Sequence, residues 1–135
     1  MTVHPALLPP GWPRPRGYAN AIMASGRTIY TAGVVGWDAE EKFPCTDLAG
    51  QFRQVVENTL AILAEGGAGP EHIARMTWYI TSRAEYLDSL PEIGAIYREL
   101  IGKNFPAMAV VEVTALVEAE AKIEIETIAV VPEAA

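Results

Sequence analysis

The chain has 135 residues, half of them apolar and a fifth charged, with seventeen acidic residues against ten basic ones and a net charge of −7. That size and composition suit one globular domain that buries a core without a staple, and the single cysteine, Cys45, cannot form an internal bridge. The acidic balance argues against nucleic acid as a partner, and no apolar run reaches the ~20 residues that cross a bilayer. The N-terminus lacks the basic and apolar stretches of a secretory leader, so a cytoplasmic protein is expected.

Residues 1–17 hold five of the ten prolines and read as an extended arm. Leu7, Leu8 and Trp12 give that arm something to pack with. A single domain is expected over 18–131, followed by a short tail at 132–135. Two strands are expected near 19–24 and 28–35, joined by a turn at Ser25-Gly26-Arg27. After a loop through Pro44 and Cys45, Thr46 or Asp47 is placed to cap a helix. Leu48, Phe52, Val55, Val56, Thr59 and Leu63 form its apolar stripe, and Gly66-Gly67 ends it.

The run 73–81 is rich in β-branched and aromatic residues and reads as a strand. Ser82 and Glu85 have capping-box spacing, and the helix they open carries Tyr86, Leu90, Ile93, Tyr97 and Leu100 on one stripe. Pro91 inside it predicts a kink or a break. Strands near 108–117 and 122–130 complete a β-β-α-β-α-β-β order, an α+β fold with both helices on one sheet face.

In the last strand Ile123 and Ile125 alternate with Glu124 and Glu126, so the isoleucines suit the core and the glutamates the opposite face. If the last two strands pair, Glu112, Glu124 and Glu126 share the face away from the helices. That face is either solvated or packed against another subunit, where a carboxylate would be desolvated and poised for proton transfer. Trp78 and Tyr79 lie on opposite faces of their strand and read as structural residues. His4 and His72 have no metal-ligand neighbours at useful spacing, so no metal site is expected. Arg14 and Arg16 on the arm offer positive charge, or simply a solvated surface.

The segments Ile29-Tyr30-Thr31-Ala32-Gly33, Gln51 to Asn58, Phe105-Pro106-Ala107, Val111-Glu112-Val113 and Lys122 to Glu126 resemble the RidA (YjgF/UK114) family. The resemblance implies a chorismate-mutase-like fold assembled as a homotrimer, with pockets between adjacent subunits. It also implies hydrolysis of enamines or imines, such as 2-aminoacrylate, to keto acids and ammonia without a metal or organic cofactor. Older endoribonuclease and translation-inhibitor labels of the family find no support in this acidic composition.

Glu124 matches the family's catalytic glutamate, Tyr18 a tyrosine that lines the pocket, and Gly33 a glycine whose backbone approaches the ligand. Val110 stands where a cysteine is frequent, Ala32 where a serine is frequent and Gly94 where an asparagine is frequent. The family's substrate-binding arginine follows Pro-Ala, whereas here Met108 does. Trp37 is expected either to close over the pocket or to pack beneath its loop. With Met108, Val110 and Ala32 the pocket should be apolar, suiting an aromatic ligand better than a compact anion. The expected function is a RidA-like deaminase whose substrate is not the usual 2-aminoacrylate. The alternative is a non-catalytic trimer that binds a small molecule in the same cleft.

Overall fold

Leu48, Phe52, Val55, Val56, Thr59 and Leu63 form the buried stripe of helix α1 (Leu48–Glu65) in the computed structural model, which describes residues 2–134. Asp47, rather than Thr46, caps it, its carboxylate accepting the Gly50 N–H at 3.0 Å. Gly67 turns the chain away in the left-handed region, at φ 78°. Met1 and Ala135, the outer ends of the expected arm and tail, lie outside the described residues.

The strands are β1 (Arg27–Tyr30), β2 (Val34–Val35), β3 (Ile73–Ile80), β4 (Ala107–Glu112) and β5 (Ile123–Val131). They form one sheet in the order β1-β5-β3-β4, with β2 following β1 along the same edge of β5. β3 and β4 run parallel, and the other pairs are antiparallel. A parallel pair needs a crossover, which helices α2 (Arg83–Asp88) and α3 (Leu90–Leu100) supply. The break expected at Pro91 falls at Ser89, which ends α2 and opens α3, with the proline in the first turn of α3.

Two expectations are corrected. Residues 19–24 do not form a hairpin with β1; they make only the isolated bridges Ala6–Ile22 and Ala19–Ala107, and β1 pairs with β5 instead. Gly26 permits that close edge, since a Cβ there would lie 2.8 Å from the Val131 carbonyl carbon. Nor do β4 and β5 pair, because β3 lies between them. The register sets Glu112 beside Ile80 and Val110 beside Trp78, so Glu112 shares the helix-covered face instead of joining Glu124 and Glu126. There it accepts the Arg83 N–H at the start of α2, at 2.6 Å.

The core lies between the helices and this face, with Phe52, Met76, Trp78, Ile123 and Ile125 at its centre. Buried Gln51 ties α1 to the loop before β5. Its side chain donates to the Glu120 and Cys45 carbonyls and accepts the Lys122 N–H at 2.8 Å. The arm packs on its own chain. Leu7 N–H donates to the Ala21 carbonyl, and buried His4 meets the Val130 carbonyl at 2.9 Å. No helix among the described residues is long and apolar enough to cross a membrane.

Candidate functional site

The residues expected to form one site fall into two groups on opposite faces of the sheet. Tyr18, Met108 and Val110 line a cavity of about 530 Å³ on the helix side. Trp78 forms part of its wall in register with Val110, and Tyr86, Tyr97 and Phe105 add further aromatic surface. Gly94, where a side chain would meet nothing within 4 Å, leaves α3 open to the cavity.

The aromatic wall is an ordered stack. Trp78 packs on Phe52 with ring centres 4.8 Å apart and meets the edge of Tyr86 at 83°. Phe105 lies parallel to Tyr97 at 5.8 Å. The Tyr97 hydroxyl donates to the Asn104 carbonyl at 2.5 Å, and burial pushes its pKa up. Burial also raises that of Tyr86. Trp78 is only 3% exposed, and its indole N–H has no hydrogen-bond acceptor among the described residues.

Glu124 and Gly33 stand on the other face. β1 and β2 are interrupted between residues 30 and 34, where Thr31 both donates its N–H to the Thr127 carbonyl and accepts the Thr127 N–H on its hydroxyl. This brings Gly33 directly against the half-buried Glu124 side chain, whose carboxyl carbon would be 2.7 Å from a Cβ at Gly33. Only a glycine leaves that carboxylate its place. Beside it, Tyr79 donates its hydroxyl to Glu126 at 2.8 Å, and that bond raises the phenol's pKa. Exposed Tyr30 and Val111 also belong to this open face.

Trp37 and Ala32 do not line the cavity with Met108. Trp37 packs at 6.0 Å on Phe43, and its carbonyl accepts from the Asn58 side chain at 2.8 Å. Cys45 borders a separate depression. Among the described residues no three His, Cys, Asp or Glu side chains are grouped as a metal site requires.

The sequence reading offered Arg16 as a source of positive charge but missed Arg98 and Lys103. Arg16, Arg98 and Lys103 all border the cavity, and no acidic residue does. Arg98 follows Gly94 by one helical turn, a spacing that could have placed it on the open side of α3.

Known proteins match this architecture along nearly its whole length. Residues 13–131 match the profile of the family described as Endoribonuclease L-PSP. A RutC family protein of Pyrococcus abyssi is 31% identical over 118 residues, covering 87% of this chain and 89% of the relative. The 2-iminobutanoate/2-iminopropanoate deaminase of Homo sapiens is 27% identical, covering 84% and 79%. Among solved structures, the Rid-family protein YyfB of Yersinia pestis is 31% identical with a TM-score of 0.80, covering 95% of this chain and 98% of its own. E. coli TdcF with bound serine is 26% identical with a TM-score of 0.66, covering 93% and 91%. The chain thus belongs to the Endoribonuclease L-PSP family, the family of the RidA proteins.

Proposed function

We propose that the chain is a hydrolytic deaminase of the RidA type, acting on an enamine- or imine-type small molecule in a cleft between copies of a homotrimer. The carrying observation is the division of the site residues. Glu124 and Gly33 sit on the open sheet face, while Tyr18, Met108 and Val110 line the cavity on the helix side. A cleft that unites them takes one half from each of two neighbouring copies. The apolar and tyrosine-bearing open face supports assembly through that surface. The human relative's name, 2-iminobutanoate/2-iminopropanoate deaminase, supports the reaction class.

In this reading Glu124 takes a proton from water as the water oxygen bonds to the C=N carbon. It gives that proton to the nitrogen, forming a carbinolamine, and then carries the hydroxyl's remaining proton to the amine as the C–N bond breaks and the C=O bond forms, giving a keto compound and ammonia. Gly33 lets the backbone and the carboxylate approach the reacting atoms together. Tyr18, Met108 and Val110 enclose the rest of the substrate. Trp37 packs on Phe43 within its own loop. Met108 replaces the family's arginine clamp with a flexible thioether, so a small anionic enamine such as 2-aminoacrylate is not the favoured substrate.

The test is the rate of ammonia release from imines generated in situ, above the spontaneous rate, for the native chain and Glu124→Gln. Native turnover lost in Glu124→Gln, with ligand binding retained, supports the reading. Turnover unaffected by the substitution, or absent from the native chain, contradicts it.

A further inference from the structure

Glu124 and Glu126 leave β5 on the same face of the sheet, two residues and about 7 Å apart along the strand. Glutamate side chains that close can bring their carboxyl groups together, where two carboxylates share one proton instead of ionising independently. Here they diverge. The Glu124 carboxyl lies against Gly33, on the β2 side of β5. The Glu126 carboxyl accepts the Tyr79 hydroxyl at 2.8 Å, on the β3 side. The register pairs Tyr79 with Glu124 and Thr77 with Glu126, so the tyrosine crosses diagonally to reach the second glutamate. The bond to Glu126 first, with the charges of Glu126 and Glu124 adding to it, keeps the phenol protonated and a donor through the neutral range. Arg75, the cation on the same face of β3, makes no salt bridge with either glutamate among the described residues, where the pairs are Arg53–Glu99 and Lys122–Glu85. The tyrosine hydroxyl is what fixes Glu126.

We infer that Tyr79 is a positioning residue for the proposed hydrolysis: by drawing Glu126 towards β3 it keeps the two carboxylates apart and leaves Glu124 as the single free base against Gly33. This rests on Glu124 taking the proton from water in the proposed deaminase. Without the hydroxyl, Glu126 is released to share a proton with Glu124, and a carboxyl that already holds a proton cannot take another from water. In a cleft closed by a neighbouring copy, the lower local dielectric strengthens both the restraint and the repulsion between adjacent charges. Glu126 itself takes no part in the reaction.

Steady-state hydrolysis of imines generated in situ tests this on the full chain, comparing the native protein with Tyr79→Phe, Glu126→Ala and the double variant. Tyr79→Phe should lower kcat about tenfold with KM within about twofold of native, since it weakens the base and leaves the cavity walls untouched. Glu126→Ala alone should keep at least about half of native kcat, because Glu124 remains the only base that the reaction uses. In the double variant kcat should return to the Glu126→Ala level, since no second carboxylate is left to restrain. That recovery is the decisive readout: a tyrosine needed only for packing or assembly would leave the double variant as impaired as Tyr79→Phe. Native kcat in Tyr79→Phe, an inactive Glu126→Ala, or a double variant no better than Tyr79→Phe overturns the inference and leaves the deaminase reading standing. A native chain without turnover, or one indifferent to Glu124→Gln, overturns both.

Discussion

Gly33 and Glu124 are in such close approach that a methyl group on the glycine would lie 2.7 Å from the glutamate's carboxyl carbon. The interruption between β1 and β2 brings the two together, and neither residue's place makes sense without the other. Gly33→Ala should therefore swing the carboxylate aside while leaving the core untouched. The expected result is a fall in turnover of about 10–100-fold, the usual cost of misplacing a reacting group by about an ångström. The thermal midpoint should stay close to the native value. Imine hydrolysis and thermal unfolding measured on the same preparation check both halves of this expectation.

Buried Gln51 satisfies three backbone groups from two loops, so its loss should be felt as stability. Gln51→Leu leaves the Lys122 N–H and the Glu120 and Cys45 carbonyls without that partner. A destabilisation of about 2 kcal/mol is expected, a drop in the unfolding midpoint of roughly 6–10 °C. A midpoint within a degree of the native one would show that water replaces the amide at no cost.

Tyr97 predicts an alkaline limit. Burial raises its pKa above the usual 10.0, so the folded chain keeps the proton that the unfolded chain releases from about pH 10 upward. The unfolded state then binds fewer protons, and stability falls as pH rises past 10. Tyr97→Phe lessens this slope, to which Tyr86 also contributes, and near pH 7 it costs about 1 kcal/mol for the lost bond to the Asn104 carbonyl. Urea midpoints from pH 7 to 11 for both chains give the comparison, and parallel slopes would refute it.

The helices were legible in the sequence because their signals are local. The 3.6-residue stripe from Leu48 to Leu63 and the Ser82 cap both stand as expected, and Pro91 accompanies the division into α2 and α3. Strand neighbours were not legible, because pairing is decided by distant segments. Nothing within residues 107–131 announces that β3 inserts between β4 and β5, and that insertion alone moves Glu112 to the helix face. The site shows the same divide. Glu124 and Gly33 were found through family resemblance, and the structure sets them side by side. Trp78 was read as structural from its place on a strand, and it stands at the centre of the core against Phe52. Arg98 and Lys103 drew no reading from the sequence, and it is the fold that places them on a cavity rim.

The central claim is that two copies of the chain complete one reactive cleft, and mixing two disabled variants tests it most directly. Glu124→Gln removes the glutamate half, and Met108→Trp fills the cavity half. Each alone should be inactive. Co-refolded at equal amounts, they should recover about one quarter of native turnover, since one pairing in four joins an intact glutamate to an intact cavity. A mixture no more active than its separate components, in a native chain that does turn over, would show that each copy carries its site alone and would contradict the account.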